Sequence, residues 1–523
     1  MNPPSGRVTE WLALALFAVT VLVLVLLRPL LPVDETRYLT VAWEMWQGGS
    51  RLVPHVNGEL YTHKPPMLFW LMNVVWSAIG VSELGARLVA PAFGVASVGL
   101  TALLARRLWP ETPDRAGLAA LMLASSAVFV IYGSATMFDT MLTTATLGAM
   151  LALVALHRAP GLTPVLGLGV ALALGVFAKG PVILVHVLPV AVLYPLWAER
   201  GTRIDLWTWY RGIALAILVA LALVGLWLGP ALVLGGAEYR ADVLWRQSAG
   251  RMVASFDHAR PFWFFAALLP VFAWPWGWSR AALAALAPRR LIADQSTRLV
   301  LVWAAGAFVG FSLISGKQTH YLMPELPAVA LLLSGMVVSR ASWARKAVLV
   351  APALAVAALA VVIFLGLVPD ASANDTPTPV WQLVLTLVVV AAFLGVVLRL
   401  DRPLLVMALA APVTVLAAHL ALHKLMQAGY DPQPIATILA DGQRSGLATT
   451  DTGYAGQFAF AGRLTGPVTV LNSDQDRAAW IATHPGGIIV ARQDLVEQGL
   501  TLLVARDFQG RPYRLYRVEK VQP

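Results

Sequence analysis

Long uninterrupted apolar runs are the feature that most constrains the fold of this chain. Residues 11–27, 84–104 and 347–368 approach or exceed the roughly 20 apolar residues that cross a hydrocarbon core of about 30 Å. With 58% hydrophobic and only 13% charged residues, the 523-residue chain has too few charges to surround such runs with a water-facing surface. We therefore expect lipid to be the solvent for most of the chain.

The apolar runs predict thirteen membrane spans. They lie at about 10–31, 84–105, 117–134, 139–157, 161–178, 181–198, 212–235, 262–280, 298–315, 321–339, 347–368, 380–398 and 403–422. With a cytoplasmic N-terminus, seventeen of the 38 Lys and Arg residues fall in short inner loops, as the positive-inside rule requires. Topology thus accounts for the net charge of +10, and we expect no nucleic-acid partner.

Two of the three long outer segments lie between spans. These are 32–83 and 236–261, and we place both in a transmembrane domain that covers residues 1–422. Segment 32–83 begins with Asp34-Glu35 and continues with apolar residues at helical spacing, which predicts an amphipathic helix on the membrane surface. A second short helix is expected at 65–79. The first outer loop should therefore hold two juxtamembrane helices.

The third outer segment is the tail, residues 423–523. Short strand-like runs occur at 447–450, 468–471 and 487–490, and a capped helix is expected at 473–483. Gln509-Gly510 separates two further strand-like runs and is typical of a hairpin turn. The fold class is therefore an all-α polytopic membrane bundle with a small C-terminal α/β domain on the periplasmic side.

On this topology, ionisable residues from distant parts of the chain converge at the outer ends of the spans. They are Asp34, Glu35, Arg37, His63, Lys64, Asp139, Lys179, His258, Lys317 and His320. Each alone has a plain structural explanation, since Asp34 or Asp139 could cap a helix and Lys179 could extend to the interface. Together they suit phosphate-linked sugar chemistry, in which a carboxylate accepts a proton and basic groups neutralise a phosphate.

Metal chemistry is less favoured by the same residues. No pair of His or acidic residues stands at helical ligand spacing, and the basic residues would repel a cation. No cofactor is certain, and a divalent cation stays possible. The chain has no cysteine, which excludes disulfides and thiolate chemistry.

Short motifs in the first 330 residues resemble those of a known family. They are Asp34-Glu35-Thr36-Arg37-Tyr38, Leu52-Val53-Pro54-His55, Asn57-Gly58, His63-Lys64-Pro65-Pro66, Phe138-Asp139, Ala178-Lys179-Gly180-Pro181, Arg260-Pro261-Phe262-Trp263 and Lys317-Gln318-Thr319-His320-Tyr321-Leu322-Met323-Pro324. In order and spacing they are similar to the C-type glycosyltransferases of the protein-mannosyltransferase superfamily, and within it to the bacterial lipid A aminoarabinose transferase branch.

The resemblance implies roles for individual residues. Asp34 is expected to be the catalytic acidic residue and Asp139 the second acidic residue of the site, while Lys64, Arg37 and Tyr321 are expected to hold a polyprenyl phosphate. The other expected substrate-binding residues are Glu35, His63, Lys179, His258, Lys317 and His320.

The sequence also departs from the family pattern. Ala178 replaces the usual threonine before the Lys-Gly-Pro triplet, and His63 stands where an acid or an aromatic residue is common. The chain beyond about residue 340 matches no family motif. The acceptor specificity of the aminoarabinose branch therefore does not carry over by resemblance.

The expected function is that of an inverting glycosyltransferase in the bacterial inner membrane. It would move a sugar from undecaprenyl phosphate to a periplasmic or outer-leaflet acceptor, such as lipid A, another glycolipid, a polysaccharide or a protein. A sugar-lipid flippase is the alternative, but the paired half-repeats and broken helices typical of transporters are not evident in the sequence. The sugar, the acceptor and the oligomeric state are left open.

Overall fold

Helices make up most of the computed structural model, which describes residues 6–199, 204–245, 259–335, 346–368, 377–400 and 402–519. Strands occur only in the first outer segment and in the tail of this described part. Apolar runs form helices because a helix satisfies its own backbone hydrogen bonds, which lipid cannot do.

The helices of the first half are α1 (Gly6–Leu27), α2 (Asp34–Trp46), α3 (Met67–Ile79), α4 (Glu83–Leu108), α5 (Asp114–Ala124), α6 (Ala127–Gly133), α7 (Asp139–Arg158), α8 (Leu162–Lys179), α9 (Ile183–Val192), α10 (Tyr194–Trp197), α11 (Leu206–Leu234) and α12 (Gly236–Ala241). The second half holds α13 (Phe264–Ala273), α14 (Arg280–Ala285), α15 (Pro288–Leu291), α16 (Gln295–Leu313), α17 (Leu326–Leu333), α18 (Lys346–Phe364), α19 (Val380–Arg399), α20 (Pro403–Tyr430), α21 (Gln433–Gly442) and α22 (Asp474–Thr483). Short 3₁₀ segments occupy Trp276–Trp278, Thr319–Glu325 and Gln443–Ser445.

Polar caps fix the starts of several helices. The side chains of Ser82, Asp205, Asp294 and Ser473 each accept a hydrogen bond from the backbone N–H three residues further on. Such caps satisfy N–H groups that have no partner within the helix. The capped helix expected at 473–483 is confirmed as α22.

Nine helices within the described ranges are long and apolar enough to cross a membrane, or ten if the bent pair α5 and α6 forms one span. The chain is therefore a multi-pass membrane protein, and the predicted count of thirteen spans exceeds the long helices described. Helix α9 stops at Val192 shortly before Pro195, and α13 stops at Ala273 before Pro275. Proline cannot donate a backbone hydrogen bond, so these expected spans are broken into shorter pieces.

The ring of Phe17 joins three helices at the centre of the bundle. It is fully buried in α1 and packs 5.0 Å from the ring of Phe129 in α6. A Cβ atom at Gly94 of α4 or at Gly133 of α6 would lie 2.8 or 2.7 Å from this ring. Small residues thus let the three helices approach closely, and this fixes the end of α6 beside α1.

The two juxtamembrane helices form as predicted, as α2 and α3. Between them, strands β1 (His55–Val56) and β2 (Glu59–Leu60) pair antiparallel. Their turn residues Asn57 and Gly58 have φ values of 54° and 77°, as a two-residue hairpin turn with positive φ at both positions needs. The first outer segment is therefore an ordered layer.

The tail forms a five-stranded sheet of order β4-β3-β5-β7-β6. Its strands are β3 (Leu447–Thr449), β4 (Thr469–Val470), β5 (Ile488–Ala491), β6 (Leu500–Phe508) and β7 (Arg511–Val518). Strand β3 pairs parallel with β4 and β5, whereas β7 pairs antiparallel with β5 and β6. Gln509 and Gly510 form the predicted hairpin turn, with φ values of 59° and 65°. The expected α/β character of the tail is confirmed.

The tail sheet is fastened to the hairpin of the first outer segment by Asn57. Its amide group donates to the carbonyl oxygen of Val468 at 2.9 Å, and its amide oxygen accepts from the Val468 N–H at 2.8 Å. Glu44 of α2 holds the turn itself, because its carboxylate accepts the N–H groups of Asn57 and Gly58.

Helix α2 makes direct contacts with the tail. The Thr40 hydroxyl donates to the Gly456 carbonyl at 2.7 Å, and the Trp43 indole N–H donates to the Leu464 carbonyl at 2.8 Å. Beside them, the buried ring of Phe460 stacks on Trp76 of α3, with centroids 5.5 Å apart. Hydrogen bonds and ring packing therefore dock the tail on both juxtamembrane helices.

Replacing Phe460 by Ala should loosen this docking. Loss of a buried aromatic ring typically costs about 3–5 kcal/mol, and here the lost contacts join two parts of the chain. Hydrogen–deuterium exchange should rise in α2 around Thr40 and Trp43. The control is Leu502→Ala, which shortens a half-exposed side chain on strand β6, and it should leave α2 unchanged. Equal exchange in both variants would contradict the assigned docking.

Candidate active site

The first turn of α2 presents its two acidic residues to different surroundings. Asp34 is exposed, and its Oδ1 atom accepts a hydrogen bond from the Tyr38 hydroxyl at 2.9 Å. Glu35 is buried, with 2% of its surface exposed. Val33 is the N-cap residue and makes no side-chain cap, so Asp34 does not act as a helix cap. It stays available to an incoming molecule.

Glu35 is surrounded by donors from the protein. Its carboxylate accepts hydrogen bonds from the two terminal nitrogens of the Arg28 guanidinium, one of them at 2.7 Å, and from the Leu31 N–H at 2.9 Å. The N–H of Thr136 donates to it at 2.7 Å. This carboxylate therefore joins the end of α1, the start of α2 and the segment that precedes Asp139.

The ionisation of Glu35 depends on these donors. Burial alone raises the pKa of a carboxyl group, but Arg28, assisted by Arg87 and the Leu31 N–H, outweighs it and lowers the pKa of Glu35 from 4.5 to about 2. The side chains of Arg28 and Glu35 are only 2% and 3% exposed. Glu35 is therefore a buried, charged anchor.

Asp139 and Lys179 form the second ion pair of the site. The Lys179 ammonium lies 2.6 Å from Asp139 Oδ1, and Asp139 is 1% exposed. Phe138 is the N-cap residue of α7 and no side chain caps this end. Asp139 therefore does not cap the helix, and its carboxylate pairs with Lys179 instead. The same ammonium lies 4.8 Å from the ring centroid of Tyr321, within cation–π range.

His320 lies close to the charged groups of Asp139 and Lys179. Its ring is 5.4 Å from that of Tyr132 and 5.1 Å from that of Tyr321. Burial lowers the pKa of His320 from 6.5 to about 4; Asp139 opposes this shift, and Lys179 reinforces it. The imidazole is therefore neutral at pH 7.

Charged residues from four separate chain segments act on the His320 ring. Lys64 and Asp34 also act on the His320 ring, as Asp139 and Lys179 do. The Lys64 ammonium lies 5.7 Å from the ring centroid of Phe138. The structure thus brings together residues that the sequence predicted to converge.

The remaining predicted residues lie in varied settings. Arg37 is half-buried, and its Nε atom has no hydrogen-bond partner among the described residues. His63 is exposed beside Tyr61, with ring centroids 5.4 Å apart. Lys317 is buried, and its ammonium donates to backbone carbonyls, including that of Arg260 at 3.1 Å. His258 lies outside the described residues.

Three contributors to the site escaped the sequence reasoning. Arg28 was assigned to the first span, although it is the charge at the outer end of an apolar run and stands close before Glu35. Tyr38 stands four residues after Asp34, which is one helical turn, and this spacing was a usable signal. Thr136 contributes only a backbone N–H, for which the sequence carries no signal.

No group of three or more His, Asp or Glu residues in the described part of the chain is arranged to hold a metal ion. The carboxylates of Glu35 and Asp139 are each occupied by a basic side chain. The ammonium groups of Lys64 and Lys179 near His320 thus suit an anionic ligand better than a cation.

Sequence comparison relates this chain to known transferases. Residues 63–227 match the family model described as dolichyl-phosphate-mannose-protein mannosyltransferase. The chain is 30% identical over 322 residues to undecaprenyl phosphate-alpha-4-amino-4-deoxy-L-arabinose arabinosyl transferase 1 of Pseudomonas fluorescens, which covers 58% of this chain and 53% of the relative. A Pseudomonas aeruginosa PAO1 protein named as the same kind of transferase is 32% identical over 321 residues, covering 59% and 55%. The chain spans about half the length of these curated relatives.

Structural comparison covers nearly the whole chain. The crystal structure of ArnT from Cupriavidus metallidurans bound to undecaprenyl phosphate gives a TM-score of 0.74 at 18% identity, over 99% of both chains. The apo structure of that protein gives 0.75, with the same identity and coverage. The chain therefore shares the fold of this ArnT over nearly its whole length. The named relatives and this shared fold confirm the resemblance predicted from the sequence.

Replacing Glu35 by Gln should destabilise the protein. The variant leaves Arg28 buried without its counter-ion, which typically costs about 3–5 kcal/mol. The pH dependence of stability should change as well. The pKa of Glu35 is lowered, so its contribution of about 3 kcal/mol is present above about pH 4.5 and is lost as the pH falls toward 2.

Thermal melting in detergent at about pH 7 and about pH 3 would test both effects. The wild type should lose more stability on acidification than Glu35→Gln. The control is Asp494→Asn, which removes a 73% exposed partner of Arg514 and should change the melting temperature little. Identical acid dependence in the wild type and Glu35→Gln would exclude Glu35 as the anchor.

Proposed function

We propose that this protein is an inverting glycosyltransferase that moves a sugar from undecaprenyl phosphate to an acceptor such as lipid A or another glycolipid. The observation that carries the proposal is the meeting of exposed Asp34 with Lys64, Lys179, His320 and Tyr321 at one place. The names of the relatives and the lipid bound in the neighbouring structure support the same donor class.

We assign to the basic residues the role of stabilising the leaving phosphate. Lys64 and Lys179 carry ammonium groups near the site, and Arg37 offers an N–H without a partner among the described residues. The Tyr321 ring lies against Lys179 and fixes its direction. Such groups stabilise negative charge that develops on a departing phosphate.

We assign to Asp34 the role of general base for the acceptor hydroxyl. The carboxylate is exposed and its Oδ1 atom is held by the Tyr38 hydroxyl, which orients it. A positioned carboxylate accepts the proton of an attacking hydroxyl as the new bond forms to the sugar. Attack on the face opposite to the phosphate inverts the sugar carbon.

Asp139 and Glu35 are assigned supporting roles in this reaction. Asp139 is buried against Lys179 and directs the ammonium toward the phosphate. Glu35 fixes the start of α2, and therefore Asp34, through Arg28 and Thr136. We retain His63, His258, Lys317 and His320 as substrate-binding or supporting residues, with no covalent role.

We further propose thirteen spans, a bacterial inner-membrane location and a periplasmic site. The described residues support one part of this directly: the tail contacts α2, which carries Asp34, so the tail and the site share a side. Arg106, near the end of α4, pairs with Glu10, near the start of α1. These helix ends lie away from the site, and Arg106 belongs to a predicted inner loop. The proposed domains are residues 1–422 and 423–523.

The tail and the outer segment 236–261 are the proposed acceptor-facing parts. The acceptor is a glycolipid such as lipid A, a polysaccharide or a protein that reaches the membrane surface. Flippase activity without transfer is not favoured. An exposed carboxylate, that of Asp34, lies near the ammonium groups of Lys64 and Lys179, and this arrangement suits a sugar transfer better than the transport of an intact lipid.

Replacing Asp34 by Asn should abolish transfer while the protein stays folded. General base catalysis contributes about 10²–10⁴-fold in rate, and an amide cannot accept the proton. The measurement is mass spectrometry of envelope lipids from a deletion strain that carries each variant. Asp476→Asn, which changes an exposed carboxylate in the tail, is the matched control. Near-normal modification with Asp34→Asn would rule out the assigned role.

Replacing Lys64 by Met should weaken donor binding. A charged hydrogen bond contributes about 1.5–3 kcal/mol, so affinity for undecaprenyl phosphate should fall at least about tenfold. Native mass spectrometry of the purified variant against the lipid would measure this. Lys424→Met removes a partly buried lysine near the end of α20 and should bind normally. Unchanged binding by Lys64→Met would exclude Lys64 from the phosphate site.

A further inference from the structure

A buried histidine–glutamate pair lies in the bundle outside the site described above. His186 Nδ1 and Glu325 Oε1 are 2.6 Å apart, and their side chains are 0% and 6% exposed. His186 belongs to α9, and Glu325 ends the 3₁₀ segment Thr319–Glu325. The imidazole packs 5.0 Å from the ring of Phe311 in α16. Ionisable groups in such surroundings are rare and usually functional.

Only one hydrogen bond holds each member of this pair. His186 Nε2 and Glu325 Oε2 are buried and have no partner among the described residues. Apolar side chains of similar size would pack here without unsatisfied polar atoms, and such replacements are often neutral or stabilising. Stability alone therefore does not account for the pair.

The pair joins the same two segments that meet again at the site. Glu325 follows Tyr321 by four residues, and His186 follows Lys179 by seven. Lys179 contacts the Tyr321 ring at 4.8 Å. The pair is therefore a second connection between the segment that carries Lys179 and the segment that carries Tyr321.

The 3₁₀ segment needs such a connection. Its hydrogen-bond geometry is poorer than that of an α-helix, and Pro324 within it cannot donate a backbone hydrogen bond. On the N-terminal side, the buried Lys317 ammonium fastens the chain to the Arg260 carbonyl. On the C-terminal side, the bond between Glu325 and His186 fastens it to α9.

We propose that His186 and Glu325 are positioning residues that hold the segment Thr319–Glu325 so that Tyr321 faces the lipid phosphate. The inference rests on the proposed function, because it assigns the pair an effect on donor binding. Neither residue touches substrate. Their effect is carried through the backbone of the 3₁₀ segment to Tyr321.

The test is the affinity of purified full-length variants for undecaprenyl phosphate, measured by native mass spectrometry. Glu325→Ala removes the acceptor of the His186 hydrogen bond and should weaken binding at least tenfold. Glu325→Gln keeps an acceptor oxygen and should bind within about threefold of the wild type. His157→Leu, which removes another histidine of the bundle with its hydrogen bonds to Tyr194 and Gln295, is the matched control and should bind normally.

A mutant cycle separates positioning from a general structural role. In a Tyr321→Ala background, Glu325→Ala should change binding less than about twofold, because the group that it positions is gone. A full additional loss in that background would overturn the proposal, and so would equal binding by Glu325→Ala and Glu325→Gln. If Glu325→Ala does not fold, the double variant His186→Leu with Glu325→Leu is used in its place. It removes the hydrogen bond between the two side chains, so it should weaken binding in the wild-type background and change it less than about twofold in the Tyr321→Ala background.

The wild type and Lys64→Met distinguish this inference from the function on which it rests. Failure of the wild type to bind the lipid, or equal binding by Lys64→Met, would overturn the proposed donor site and the positioning role with it. Normal loss in Lys64→Met together with wild-type affinity in Glu325→Ala would overturn only the role of His186 and Glu325.

Discussion

The carboxylate of Glu35 is the interaction on which the arrangement of the site depends. A buried charge is tolerated only where donors surround it, and here they come from Arg28, Leu31 and Thr136. Because these donors belong to separate parts of the chain, none of the parts can move without leaving a charge or an N–H unsatisfied. The location of Asp34, next to Glu35 in α2, follows from this constraint. So does the approach of the chain to Asp139.

Features set by local pattern could be predicted from the sequence. The amphipathic spacing after Asp34 gave α2, and Ser473 gave the start of α22. Gln509-Gly510 gave the hairpin turn, because few residue pairs accept positive φ at two successive positions. The convergence of the charged residues was also predictable, because the positive-inside rule assigns the span ends that carry them to one side.

Features that depend on distant contacts could not be predicted. The prolines are visible in the sequence, but which of them a helix accommodates is not: α9 contains Pro189 and α13 contains Pro270, yet both helices end shortly before the next proline. The pairing of Asp139 with Lys179 joins residues 40 positions apart, and the contact of Thr40 with Gly456 joins residues 416 apart. Tertiary packing determines such contacts, and no periodic pattern in a single sequence indicates which distant residues will pair.

The docking of the tail has a consequence for how chains of this fold diversify. Its hydrogen bonds with the first outer segment use backbone groups of Gly456, Leu464 and Val468, so they depend on the path of the tail backbone. The Phe460 ring adds a side-chain contact with Trp76. A tail grafted from a relative would have to reproduce that path to accept Thr40 and Trp43. The unit that can be exchanged between relatives is therefore the tail together with the first outer segment, and chimaeras joined near residue 423 alone would separate partners that belong together.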